Sequence, residues 1–174
     1  REVLETQLTL LGAAALMVAC DVGDAADALS FLAHATLTSV LHAAGVLRDR
    51  MARSMAMYDV CAVFEPKAIA ASHLNAALAP KPLEAVGLFS SVASTFGNVG
   101  QANYAGANAY LDALASSRRR HGVLGSSMQI PAVSGAGMGA TTFTQEQLNA
   151  MGAISLDMFA ACLSNSLMPA RAAV

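Results

Sequence analysis

The sequence predicts an α/β fold: a doubly wound parallel sheet with helices on both faces. Three observations carry that expectation. Segments of strand length at 13–20, 40–42, 84–91 and 126–130 alternate with segments of helical period. Several of these segments end at Asp, Gly or Ser, and the carboxyl ends of strands are where open α/β sheets place their chemistry. The chain has 174 residues, enough for one domain with a sizeable core, and shows no internal repeat or linker.

Taken in order, Arg1–Leu11 reads as a helix with early charges and leucines at Leu4, Leu8 and Leu11, closed by Gly12. Ala13–Cys20 is an apolar run of strand length with Asp21 at its carboxyl end, where Asp21 also suits the start of a turn. Asp24 is a good N-cap for a helix to about His34, and Asp27 in its first turn favours the dipole. Val40–His42 is a short strand entering Ala43-Ala44-Gly45, and small residues there let a backbone approach a ligand closely. Ser54 can cap a helix to about Phe64. Pro66 then starts another, which puts Lys67 near a helix N-terminus, where a cation is disfavoured by ~0.3–1 kcal/mol. Glu84–Ser91 is a strand, and a helix entered at about Asn103 presents Ala107, Leu111 and Leu114 at core spacing. It ends in Arg118, Arg119, Arg120 and His121 before a Gly122 stop. Ser126–Ile130 is a further strand, and Gln145–Met151 and Leu156–Leu167 read as helices.

The chain is 55% hydrophobic and only 13% charged, against about 25% in a typical globular protein. So few charges favour packing against a partner or excision from a longer chain. A net charge of −2 offers no footprint for nucleic acid or anionic membrane. Cys20, Cys61 and Cys162 are scattered and suit a reducing compartment, the cytoplasm, better than a disulfide framework. The four histidines form no metal-ligand pattern, and no apolar run reaches the ~18 residues of a spanning helix.

The organising stretch is LFSSVASTFGNVGQANYAGAN, Leu88–Asn108. Ser91 stands at the strand end, Tyr104 follows thirteen residues later in the first helical turn, and Asn108 lies four beyond it on the same face. A core strand followed by an ordinary amphipathic helix would account for these residues equally well.

The Ser–Tyr spacing resembles that of short-chain dehydrogenases/reductases, which usually carry YxxxK. Here Asn108 stands in the lysine position, and a lysine appears upstream as Lys67 in FEPKAIAASHL. That exchange resembles the ketoreductase domains of modular polyketide synthases and animal-type fatty-acid synthases. CDV at Cys20–Val22, VLHAAGVL at Val40–Leu47, LFSSVAS at Leu88–Ser94 and GQANYAGANAYLDALA at Gly100–Ala115 agree, in that order.

The resemblance implies a Rossmann-like fold and NADPH-dependent reduction of a β-ketoacyl thioester. The substrate would ride on the phosphopantetheine arm of an acyl carrier protein, with other domains of the same synthase as neighbours. It assigns Tyr104 as proton donor and has Lys67 lower the phenol pKa and bond the nicotinamide ribose. Ser91 would donate to the substrate carbonyl, and Asn108 would hold Lys67 or a water in the proton relay. Asp21 and Val22 would border the adenine, Ala43, Ala44 and Gly45 the ribose and pyrophosphate, and Lys67 and Tyr104 the nicotinamide end.

Three departures stand out. The family's tryptophan–glycine–proline–tryptophan loop is replaced by Ile130, Pro131, Ala132 and Val133. Leu47, Arg48 and Asp49 keep two members of the LDD motif of B-type reductases, and Phe96 stands where A-type ones place Trp, which leans to a D-configured product. No Gly-rich pyrophosphate turn precedes Asp21, so residues 1–174 are expected to be a single partial ketoreductase domain, cut at both ends. A non-catalytic structural piece of a megasynthase would not need Lys67, Ser91, Tyr104 and Asn108 together, and an unrelated free-standing reductase would carry YxxxK.

Overall fold

The computed structural model describes residues 8, 10–12, 14–135, 137 and 143–167. Three parallel strands, β1 (Ser39–His42), β2 (Ala85–Ser91) and β3 (Ser126–Ile130), form one sheet in the order β1-β2-β3. Ser39 lies opposite Ala85, and Gly87 opposite Ser126. The carboxyl ends of all three strands therefore face the same edge.

Successive residues of a strand point to opposite faces, and β2 uses both. Val86 and Leu88 pack with Ala71, Leu111 and Ala115 on one side. On the other, the Phe89 ring meets Phe159 edge-on at 6.0 Å. The first side is covered by α5 (Ala102–Arg120), and the second by α7 (Leu156–Leu167). The expected α/β architecture, a parallel sheet between helices, is what the chain forms.

Helix α1 (Ala25–His34) starts as anticipated: the Asp24 carboxylate accepts from the amides of Ala26 and Asp27, satisfying donors that have no helical partner. Three other expectations are corrected. Residues 14–20 form no strand, and Leu16 and Val18 are 88% and 51% exposed. Apolar character alone does not make a strand; ladder hydrogen bonds need a neighbour, and among the described residues none lies alongside.

Ser54 caps no α-helix. It closes a 3₁₀ turn (Ala52–Ser54), its hydroxyl donating to the Met51 carbonyl. Helix α2 (Met57–Phe64) begins instead at Ala56, whose amide donates to the Asp59 carboxylate.

Nor does Pro66 start a helix. A π-turn, Glu65–Ile69, joins α2 to α3 (Ala70–Leu78) without a break. Pro66 has no N–H to continue the ladder, and the Ala70 amide reaches back five residues to Glu65. Lys67 is thus in the middle of a continuous helical segment, so the N-terminal dipole conflict does not exist.

A short turn of helix, α4 (Ala93–Phe96), follows Ser91 directly. Gly97 and Gly100, at φ +71° and +79°, then make the bend into α5. At the far end of α5 the basic turn is partly internal: Arg118 is buried, donating to the Leu124 carbonyl and the Asn75 side chain. Helix α6 (Gln145–Ala150) carries a capping box between Thr144 and Gln147. The proposed first helix lies outside the described residues except for Leu8, Leu10, Leu11 and Gly12, as do 168–174 and most of 136–142. Among the described residues no helix is long and apolar enough to cross a membrane.

Candidate active site

A cavity of about 620 Å³ opens at the carboxyl edge of the sheet, within the range of small-molecule sites. Ala43, Gly45, Lys67, Ser91 and Tyr104 all line it. Asn108 stands behind Tyr104, fully buried. Asp21, Val22 and Ala44 are not among the lining residues. Asp21 holds a turn, its carboxylate accepting from the Gly23 amide, and Val22 packs beside the Leu32–Leu74 cluster.

Lys67 is 3% exposed, and its ammonium donates to the Phe89 carbonyl at 2.8 Å. The π-turn that carries it is anchored from β1: buried His42, through Nε2–H, donates to the Lys67 carbonyl at 2.9 Å. Burial pushes the Lys67 ammonium down to about 8, against an opposing pull from Asp112. The same burial lowers the His42 pKa.

The Lys67 ammonium lies 5.6 Å from the centroid of the Tyr104 ring. Contrary to expectation, the Tyr104 phenol is not pulled down. Burial pushes it up, only partly offset by the side chains of Asn108 and Ser91, and Asp49 adds to the rise. Desolvation of a would-be phenolate outweighs what neighbouring donors give back, and Lys67 spends its hydrogen bond on a carbonyl.

Asn108 does not hold Lys67. Its amide N–H₂ donates to the Tyr104 carbonyl one turn back at 2.8 Å, and its Oδ1 has no donor among the described residues. The Ser91 hydroxyl accepts from the Ala93 amide at 3.2 Å, which aims the oxygen along the strand end. The departed loop residues Ile130, Pro131, Ala132 and Val133 line the cavity wall, and Phe143, Met151, Leu156 and Phe159 add apolar surface. The whole is a largely apolar cavity with one cation, Lys67, and the hydroxyl-bearing Ser91 and Tyr104 among its few polar lining residues.

Sequence reasoning missed His42, Phe89 and Asp112. Asp112 carried a signal, since it continues the Tyr104–Asn108 stripe by four more residues. The Phe89 carbonyl carried none, because a backbone acceptor leaves no mark in the sequence.

Gly45 decides how Lys67 sits. A β-carbon there would lie 3.0 Å from the Lys67 Cε and 3.4 Å from its Nζ. Gly45→Ala should leave the fold nearly as stable, since a flexible side-chain end can move, but displace the ammonium. A loss of turnover of about 10–100-fold is expected with little change in unfolding midpoint. Wild-type turnover would show that the Lys67 position is unimportant.

The chain matches the family model described as the KR domain over residues 2–135. It is 47% identical over 130 residues to polyketide synthase GfsA of Streptomyces halstedii, covering 72% of this chain and 2% of that synthase. Spectinabilin polyketide synthase system protein NorA' of Streptomyces orinoci is 46% identical over 129 residues, 72% of this chain and 4% of that protein. Among solved structures, A-type ketoreductases from a modular polyketide synthase superpose with a TM-score of 0.86 at 34% identity, covering 95% of this chain and 36% of that one. The chain thus spans a small part of these synthases and about a third of that reductase.

Proposed function

Because this chain belongs to the KR domain family, the ketoreductases of polyketide synthases, we propose that it reduces a β-ketoacyl thioester on an acyl carrier protein to the 3-hydroxyacyl thioester, with NADPH as reductant. The observation that carries this reading is the meeting of Lys67, Ser91 and Tyr104 on one cavity beside Gly45. Residues 1–174 are read as a single partial ketoreductase domain working among the other domains of its synthase. Its three free cysteines suit the reducing cytoplasm.

The residues present fit the nicotinamide end of a dinucleotide. The cavity floor is small at Ala43 and Gly45, offers the Lys67 cation, and no carboxylate lines it among the described residues. Lys67 would donate to a ribose hydroxyl, with Tyr104, Ala43, Ala44 and Gly45 alongside and Asp21 and Val22 toward the adenine. When bound, NADPH supplies the hydride.

The chain's own groups do the rest. Ser91 donates to the ketone oxygen and orients it. Tyr104, its proton retained by burial, gives that proton to the forming alkoxide. The free Oδ1 of Asn108 is the acceptor from which a relay water would be held to reprotonate the phenol. The apolar walls exclude bulk water from the reacting carbonyl.

The test is an assay of the intact protein with NADPH and a β-ketoacyl thioester, followed by chiral analysis of the product. NADPH oxidation that depends on the ketone is expected; none would reject the reductase reading. A D-configured product is expected from Asp49, held by Gln101 at 2.9 Å, and from the absence of Trp at Phe96. The L product would overturn that part alone.

A further inference from the structure

One carboxylate beside the site has no role in the mechanism above. Asp112 accepts from three side chains on two other elements: Ser94 of α4 at 2.7 Å, and Ser127 and Gln129 of β3 at 2.5 and 2.8 Å. Thr95 of α4 in turn donates to the Gln129 oxygen at 3.0 Å. The Ser94 hydroxyl also stands 2.8 Å from the Ser91 carbonyl. The turn that immediately follows Ser91 is therefore tied to β3 and to α5 through a single side chain. A carboxylate offers two oxygens to such converging donors, whereas an amide offers one and adds a donor of its own.

Charge is the second observation. The buried Lys67 ammonium has one hydrogen bond, to a neutral carbonyl, and no carboxylate at ion-pair distance among the described residues. The groups facing Lys67 are His42 across the π-turn carbonyl, Tyr104 and, at longer range, Asp112, whose negative charge opposes the downward pull of burial. Asp112 itself faces hydroxyls and an amide. Burial tends to raise its pKa, but those hydrogen bonds outweigh it and hold the pKa below the ordinary carboxylate value. It stays ionised wherever Lys67 titrates.

We propose that Asp112 is a positioning residue for the reduction: its carboxylate fixes the turn that follows Ser91, whose Ser94 hydroxyl also holds the Ser91 carbonyl, and balances the buried ammonium of Lys67. The proposal rests on the catalytic reading of Ser91 and Lys67 above. It predicts two separable effects, one through hydrogen bonds and one through charge.

The experiment compares Asp112→Asn, Asp112→Glu, Ser94→Ala and Lys67→Ala in the intact protein. Turnover is measured across pH 6–10, and Lys67 is titrated directly by its rate of reaction with a small acylating reagent, read by peptide mass mapping. Asp112→Asn removes an anion, so the ammonium is less favoured and the Lys67 midpoint falls by about 0.5–1 pH unit. The alkaline limb of turnover falls with it. Asp112→Glu restores the midpoint. Ser94→Ala lowers kcat about 3–10-fold by one lost hydrogen bond, with the Lys67 midpoint unchanged.

An unshifted Lys67 midpoint in folded Asp112→Asn overturns the proposal, and so does wild-type kcat in Ser94→Ala, which stands even if Asp112→Asn fails to fold. Wild-type turnover in Lys67→Ala sinks the catalytic reading and this proposal together. An inactive Lys67→Ala beside an unshifted Asp112→Asn sinks this proposal alone.

Discussion

Tyr104→Phe is expected to lower kcat for reduction of a β-ketoacyl thioester by about 10²–10⁴-fold and to leave NADPH affinity close to that of the native protein. The ring stays, packed with Val63, Ala93 and Ala107, so the wall of the cavity is preserved. What is lost is the one acidic hydrogen placed at its floor. Because burial raises the phenol above its ordinary value of 10, Tyr104 is fully protonated at neutral pH. Its ionisation does not limit the rate there. A decline on the alkaline side is expected to follow Lys67 instead, whose ammonium is lost as pH rises through about 8. Steady-state kinetics from pH 6 to 10 with a fluorescence titration of NADPH decide the matter. Near-native turnover in Tyr104→Phe would remove Tyr104 from the mechanism.

Lys67→Ala weakens both turnover and cofactor affinity, because the ammonium is assigned to the ribose as well as to the floor of the site. A charge-assisted hydrogen bond of about 1.5–3 kcal/mol corresponds to a rise in NADPH Kd of about 10–150-fold, with turnover reduced further. Stability moves the opposite way. The folded-state pKa of about 8 lies below the ordinary lysine value of 10.5, so the folded state penalises the charged form. That penalty is fully present below pH 8 and fades as pH rises to 10.5, the window in which the unfolded chain binds more protons. It amounts to about 3 kcal/mol. Lys67→Met, similar in length and uncharged, should therefore raise the urea midpoint at pH 7, with the advantage shrinking toward pH 10. If both variants behave like the native protein in kinetics and unfolding, Lys67 is neither buried as described nor catalytic.

Much of the architecture is legible in the sequence because its signals are local. Asp24 caps α1 through its own carboxylate, and the strands 39–42, 85–91 and 126–130 stand within a residue or so of the segments that predict them. Tyr104 and Asn108 share a face because helical spacing puts them there, and Asn108 reaches back to the Tyr104 carbonyl. The family and its reductive chemistry follow from motif order.

What only the tertiary structure decided is non-local. Residues 14–20 have the composition of a strand, yet a strand is made by hydrogen bonds to a neighbour, which composition does not contain. Lys67 enters the site through a π-turn and two backbone carbonyls, its own and that of Phe89. The Tyr104 pKa rises where adjacency to a cation would lower it, because the sign depends on how much water burial removes and where the cation spends its hydrogen bond. Asp112 shows the difference within one side chain: its place on the helix stripe is written in the spacing. Ser94, Ser127 and Gln129 converge on it only once β2 and β3 have paired.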